Sequence, residues 1–209
     1  ARFLARQQPS LEAQLTNLAD EIAYNAHDVD DGVRSGLISF EQVAQVPLIA
    51  RYRDEALAEH PELAAMKGRR LLFETLRRML SAQVYDVIAA TQARLAQHRP
   101  QSVDDVRTAP PLVEFSAAMR RDSAELKRFL FRKLYRHPQV SATTVLARRV
   151  VNDLFAAYTA SPNLLPTDYR EAPEIYRGVA VCHAGRTNRL DLREHARISG
   201  GRIFDTATV

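Results

Sequence analysis

Helical periodicity is the feature of this sequence that most constrains its fold. Apolar residues recur every three or four positions through long stretches rich in Ala, Leu, Arg and Glu. The 209 residues include 7 glycines and 10 prolines, so few positions break a helix. The pattern predicts an all-α fold, with one helical domain over residues 1–198 and a loose tail over residues 199–209.

Local start and stop signals divide the chain into predicted helices. Ser10 has the side chain of an N-cap, whereas Gly32 and Gly36 supply stop signals. A short helix begins at Ser39 and is expected to be interrupted at Pro47. The longer predicted helices cover residues 11–31, 67–98, 123–137, 141–159 and 174–198. Residues 99–113 are expected to connect two helices with at most one helical turn.

Composition and cysteine content set the broad class of protein. Hydrophobic residues make up 46% and charged residues 26% of the chain, which is typical of a globular protein. The sequence contains no apolar run of about 18 residues and no recognisable signal peptide, so no membrane partner is predicted. Its single cysteine, Cys182, fits a reducing compartment. These features favour a cytoplasmic location.

Charge is distributed unevenly along the chain, although 29 basic and 25 acidic residues give a net charge of only +4. Asp28, Asp30 and Asp31 form an acidic cluster, and residues 120–136 form a basic one. Two interpretations remain open at this stage. The clusters suit a metal end and a phosphate end of one ligand, or a simple intramolecular charge match.

Residues 18–32 form the most informative stretch, because their helical projection has two opposed faces. The apolar face contains Leu11, Leu15, Leu18, Ile22, Val29 and Val33. The polar face contains Asp20, Tyr24, His27, Asp28 and Asp31, within roughly 100° of arc. Carboxylates, an imidazole and a phenol on one face suit metal ligation or recognition of a polar substrate. A solvated helix face is the ordinary alternative.

Residues 18–32 also resemble a signature of the deoxyguanosinetriphosphate triphosphohydrolase family within the HD-domain superfamily. Further blocks over residues 10–15, 34–38, 125–131, 134–140 and 184–195 resemble the family in the same order. The resemblance implies an HD-domain-like helical bundle. It also implies a metal-dependent enzyme that hydrolyses a deoxynucleoside triphosphate (dNTP), dGTP or another, to a deoxynucleoside and tripolyphosphate.

The resemblance places Asp20 at the family's last ligand for a divalent metal ion such as Mg²⁺ or Mn²⁺. The family's other ligands, a His and a His-Asp pair, precede this position, but residues 1–19 contain no histidine. The dipeptide His27-Asp28 follows Asp20 and is therefore not that pair. We expect the chain to be the C-terminal portion of such an enzyme, inactive alone, with no residue of its own assigned to the chemical step.

Five further residues match substrate-binding positions of the family. Tyr24 is expected to pack against the deoxyribose, and Asp28 to accept a hydrogen bond from its 3′-hydroxyl. Lys127 is expected near the triphosphate, Tyr135 beside the ribose 2′ position, and Arg136 near the base. The alternatives are a packing tyrosine, an ion-paired aspartate and a basic helix whose long side chains extend to solvent.

The last block departs from the family. Where members show Asp-Tyr-Ile-Ala-Gly-Met-Thr-Asp-Arg, residues 181–189 read Val-Cys-His-Ala-Gly-Arg-Thr-Asn-Arg, so no site residue is assigned there. The family resemblance implies a homo-oligomer. The alternative to an enzyme is a non-catalytic helical module for oligomerisation or for binding single-stranded nucleic acid. The basic residues that favour the latter are Arg120, Arg121, Lys127, Arg128, Arg132, Lys133 and Arg136.

Overall fold

The computed structural model of the protein describes residues 7–65, 69–165, 169 and 188–200. All regular secondary structure in these ranges is helical, which confirms the predicted all-α fold. The chain forms two compact units, Ala1–His137 and Pro138–Val209, which are described separately. The predicted bounds of one domain and a tail stay a prediction, because residues 201–209 lie outside the described ranges. Among the described helices, none has the length and apolarity needed to cross a membrane.

Helices α1, α3, α4 and α6 enclose the core of the first unit. Its helices are α1 (Leu11–Arg34), α2 (Phe40–Val43), α3 (Pro47–Glu59), α4 (Arg70–His98), α5 (Val103–Thr108) and α6 (Ala117–Leu130). A 3₁₀ turn covers Pro61–Ala64, and a π-helical turn over Phe131–Tyr135 continues α6. Val29, Leu48, Met79 and Leu126 are fully buried between these helices. Each helix therefore turns an apolar stripe inward.

The N-terminus of α1 confirms the predicted cap, and of the two predicted stop signals Gly36 lies at the helix end, directly after the C-cap Ser35 and with a φ of 74°, whereas Gly32 does not. Ser10 Oγ accepts a hydrogen bond from the amide of Ala13 at 3.4 Å. Gly32 lies inside the helix, which continues to Arg34. A Cβ atom on Gly32 would lie 2.8 Å from Ile38 Cδ1 and 3.2 Å from Leu134 Cδ1. The glycine therefore permits close tertiary packing and does not end the helix.

The predicted interruption at Pro47 is confirmed, because α2 ends at Val43 and a new helix, α3, begins at Pro47. Pro47 occupies the first turn of α3, where its missing amide hydrogen costs nothing. Helix α6 begins at Ala117, before the predicted residue 123, because Ser116 Oγ accepts a hydrogen bond from the amide of Met119 at 3.2 Å. The predicted start of α4 at residue 67 lies outside the described ranges.

The second unit contains α7 (Pro138–Ala160), a 3₁₀ turn over Pro162–Leu164, and α8 (Asn188–Ser199). Tyr158 is fully buried and donates a hydrogen bond from its hydroxyl to Glu194 at 2.9 Å. The buried imidazole of His195 lies 3.0 Å from the carboxylate of Asp153. These two contacts join α7 to α8. Residues 181–187, including the predicted break near Gly185, lie outside the described ranges.

Candidate functional site

Two rows of side chains meet where α1 packs beside α6 and its π-helical extension. Each row has helical spacing, so its members share one face. The row on α1 contains Glu21, Asn25 and Asp28, and the facing row contains Lys127, Phe131 and Tyr135. The arrangement brings Asp28, Lys127 and Tyr135, three of the predicted site residues, to one region of the first unit.

Polar contacts join the two rows at both ends. Lys127 Nζ lies 3.0 Å from Glu21 Oε2, and both side chains remain partly exposed. At the other end, the hydroxyl of Tyr135 donates a hydrogen bond to Asp28 Oδ2. Burial and this hydrogen bond raise the pKa of Tyr135 to about 12. The phenol is therefore a neutral donor at physiological pH.

A groove of about 460 Å³ lies between these end contacts, and we call it the α1–α6 groove. Its lining residues are Asn25, Lys127, Arg128, Phe131, Arg132 and Tyr135. Asn25 is 5% exposed, and its Nδ2 atom has no hydrogen-bond partner among the described residues. The guanidinium of Arg136 lies over the Phe131 ring, 4.5 Å from its centroid. Cations, aromatic rings and one buried amide thus share this groove.

The π-helical turn shapes one side of the groove. The amide of Arg136 donates to the carbonyl of Phe131, five residues back, at 3.2 Å. Such wide turns are uncommon and occur frequently at functional sites. This turn carries Phe131, Arg132 and Tyr135, three of the groove's lining residues.

Asp20 and Tyr24 lie on an open part of the α1 surface. Tyr24 is 61% exposed, and Asp20 is exposed with a carboxylate that makes no ion pair or hydrogen bond to any described residue. His27 is also exposed. Within the described ranges, no group of three or more His, Cys, Asp or Glu side chains is placed to hold a metal ion. The described residues therefore do not make a metal centre by themselves.

Intramolecular ion pairs account for part of the acidic cluster. Arg69 donates to Asp30 at 2.6 Å, and Arg34 pairs with Asp31. Asp28 differs from both, because its described partner is the phenol of Tyr135. The simple charge match therefore explains Asp30 and Asp31 but not Asp28.

The basic cluster is also partly neutralised within the fold. The cations with a described acidic or aromatic partner are Arg120, Lys127, Arg128 and Arg136. Arg121, Arg132 and Lys133 make no ion pair within the part of the chain that the structure describes. Arg132 is the member of this second set that lines the α1–α6 groove.

Sequence reasoning missed Asn25 and Glu21. The available signal was the spacing of Glu21, Asn25 and Asp28, which puts three polar side chains beside the apolar stripe of α1. This spacing shows that the three share a face. It does not show that α6 covers the middle residue.

Comparison with known proteins shows which family the second half of this chain resembles. Residues 113–197 match the family model described as a phosphohydrolase-associated domain. This match includes α6, the π-helical turn and α7, and it reaches into α8. The matched region is thus similar to that family, and it contains Lys127 and Tyr135.

Curated relatives give a more specific relationship. The chain is 52% identical over 199 residues to the deoxyguanosinetriphosphate triphosphohydrolase-like protein of Bordetella pertussis, covering 94% of this chain and 51% of that protein. Identity to the protein of the same name from Ralstonia nicotianae is also 52%, with the same coverage. For the Thiobacillus denitrificans protein it is 47%, over 94% of this chain and 52% of the relative.

These matches confirm the predicted resemblance to the deoxyguanosinetriphosphate triphosphohydrolase family. The chain spans about half the length of the curated relatives it matches. The chain is thus related to phosphohydrolases, and its fold is all-α.

Proposed function

We propose that this chain takes part in the hydrolysis of a deoxynucleoside triphosphate, dGTP or another dNTP, to a deoxynucleoside and tripolyphosphate. The α1–α6 groove would be part of the nucleotide site. One observation supports this most strongly: Tyr135 donates a hydrogen bond to Asp28 across 107 positions of sequence, and it lines the same groove as Lys127. The family resemblance independently assigns substrate contacts to all three residues.

The phosphate end of the proposed site is the Lys127 end of the groove. The Lys127–Glu21 ion pair is half exposed, and exposed pairs contribute only about 0–1 kcal/mol. A triphosphate can therefore compete with Glu21 for the ammonium group. Arg128 and Arg132 line the same groove and add positive charge there. Charge-assisted hydrogen bonds from these groups would stabilise phosphate oxygens.

The sugar end of the proposed site is formed by Asp28, Tyr135 and Tyr24. A carboxylate has several acceptor positions, so Asp28 can bind a 3′-hydroxyl while it accepts from Tyr135. The Tyr135 ring would occupy the space beside the 2′ position, and the exposed Tyr24 ring offers a flat surface to the sugar. Arg136, stacked on Phe131, would present its guanidinium to the base.

Asp20 is proposed as one ligand of a divalent metal ion. Its free and exposed carboxylate has the hard oxygen donors that Mg²⁺ or Mn²⁺ prefers. Because the described residues form no cluster around it, the remaining ligands must come from elsewhere in the assembled enzyme. Such an ion would supply Lewis-acid polarisation of a phosphoryl group and an activated water. Homo-oligomer formation stays a prediction.

The test is the release of tripolyphosphate from each of the four dNTPs by the full-length protein with Mg²⁺ or Mn²⁺. We expect the wild-type protein to hydrolyse at least one dNTP. In Asp20→Ala the rate of tripolyphosphate release should fall more than about 100-fold, because a metal ligand is removed. Asp54→Ala, which removes an exposed carboxylate of α3, is the matched control and should turn over normally. Wild-type-like activity in Asp20→Ala would end the ligand assignment. Failure of the wild type on all four dNTPs would contradict the proposed function.

A nucleic-acid-binding module is the second candidate. Arg121, Arg132 and Lys133, which make no ion pair in the described part of the chain, favour it. Phosphate contacts from these side chains would make oligonucleotide binding strongly salt dependent. Complete displacement of the oligonucleotide by a dNTP would instead show that the cations belong to a nucleotide pocket.

A further inference from the structure

We propose that Asn25 is a substrate-binding residue whose side-chain amide donates a hydrogen bond to the nucleoside part of the dNTP. This inference rests on the proposed function and deepens it. It assigns a role in recognition to a residue that no sequence pattern singled out. Three properties of Asn25 support it: its burial, its missing partner and its position between the two polar end contacts of the α1–α6 groove.

Asn25 has an unusual combination of burial and unused hydrogen-bonding capacity. The residue is 5% exposed, and Nδ2 has no hydrogen-bond partner among the described residues. Buried polar groups almost always have a partner, because an unmade hydrogen bond leaves their loss of hydration uncompensated. Asn25 also lines the groove. Because Nδ2 itself is closed to water in this fold, ligand binding requires a small side-chain shift at the groove wall that opens Nδ2 to an acceptor atom of the ligand.

The neighbours of Asn25 locate the position where a ligand would bind. On one side Lys127 pairs with Glu21 at 3.0 Å, and on the other Tyr135 binds Asp28. Between these contacts, Asn25 and the half-exposed ring of Phe131 line the groove. An aromatic surface next to an unused amide donor suits a flat ligand group with acceptor atoms.

Charge distribution favours the nucleoside over the phosphates as the group that reaches Asn25. The side chains of Lys127 and Arg128 are 50% and 60% exposed, so phosphates can meet them near solvent. Asn25 is neutral and deeply buried, and a phosphate that reached it would lose much of its hydration. Ring nitrogens, carbonyl oxygens and the sugar oxygen are acceptors that can be buried at lower cost.

The experiment compares Asn25→Leu and Asn25→Ala in the full-length protein. Leucine removes the amide at similar size, and alanine removes it without adding apolar bulk. We expect both variants to raise KM for the preferred dNTP about 3- to 10-fold, the range for one lost hydrogen bond. The inhibition constant of tripolyphosphate should not change. The urea concentration at the midpoint of unfolding should be the same or higher in Asn25→Leu than in the wild type, because the unpartnered Nδ2 donor is removed.

Asn17→Leu, at an exposed position of α1, is the matched control and should leave all three quantities unchanged. An unchanged KM in both Asn25 variants of an active enzyme would overturn this inference and leave the proposed function intact. If the Asn25 variants bound dNTP and tripolyphosphate more weakly by the same factor, the assignment of Asn25 to the nucleoside would be overturned. If Asn25→Leu fails to fold, Asn25→Ala decides. A wild type without dNTP hydrolysis would remove the proposed function itself, and this inference with it.

Discussion

At the scale of single residues, the contact between Tyr135 and Asp28 can be tested by measuring the pKa of Tyr135. Burial first, and then the hydrogen bond to Asp28, raises the pKa of Tyr135 to about 12. A raised pKa means that this contact stabilises the fold below the unfolded pKa of about 10 and that its contribution is lost as pH rises through 12. Asp28→Asn should lower the pKa of Tyr135 but keep it above its ordinary value, because burial is the larger cause.

Tyrosine labelled with ¹³C at the ring Cζ allows this titration to be followed by NMR. Asp31→Asn is the control, since Asp31 lies on the same helix but pairs with Arg34. The pKa of Tyr135 should be unchanged in that variant. If the pKa of Tyr135 were the same in the wild type and in Asp28→Asn, Tyr135 and Asp28 would not be in contact in solution.

The same scale shows what residue identity can predict. The polar face of α1, the basic helix and the family resemblance together single out Asp28, Lys127 and Tyr135 from the sequence, and the fold brings these three together. Asn25 could not be found in this way. An amide on a helix has the same pattern whether it faces water or a neighbouring helix, and only the packing of α6 against α1 buries it.

At the scale of helices, Gln14 joins the start of α1 to the segment before α6. Its side chain is 7% exposed, and Oε1 accepts hydrogen bonds from the amides of Leu112 at 2.9 Å and Val113 at 3.1 Å. Nε2 donates to the carbonyl of Pro9 at 3.0 Å. Gln14→Leu would leave two buried amides without partners. We expect it to reduce the free energy of unfolding by about 2–4 kcal/mol, measured by urea denaturation.

Thr16→Leu is the matched control for this contact. Thr16 is exposed on the same helix, and its hydroxyl donates within α1 to the carbonyl of Glu12 at 2.8 Å. Its replacement should therefore change the free energy of unfolding by less than about 1 kcal/mol. Equal losses in Thr16→Leu and Gln14→Leu would contradict the role assigned to Oε1.

The starts of α1 and α2 were predictable, and the reason is local chemistry. The caps at Ser10 and Ser39 use atoms within three residues, so the sequence contains the whole signal. Gly32 was wrongly predicted as a stop, because its size is set by Ile38 and Leu134, the latter more than a hundred residues away. The π-helical turn at Phe131–Tyr135 likewise had no signal in the local pattern.

At the scale of the whole molecule, opposite charges are used in two ways. Asp30 pairs with Arg69 and Asp31 with Arg34, as an intramolecular charge match requires. The cations of the α1–α6 groove are less completely neutralised, and the groove's polar groups come from helices distant in sequence. Because the chain covers about half of its relatives' length, the activity must be measured on the full-length protein.

The most direct test of the central claim, that the α1–α6 groove binds the nucleotide, is kcat/KM for tripolyphosphate release by Lys127→Gln. The control is Arg77→Gln, which also removes an exposed cation paired with a glutamate, but on α4. We predict that Lys127→Gln lowers kcat/KM at least about tenfold, since a charge-assisted contact to phosphate is lost. Arg77→Gln should stay within about twofold of wild type, as expected for a surface ion pair. An unchanged kcat/KM in Lys127→Gln, or equal losses in the two variants, would contradict the account.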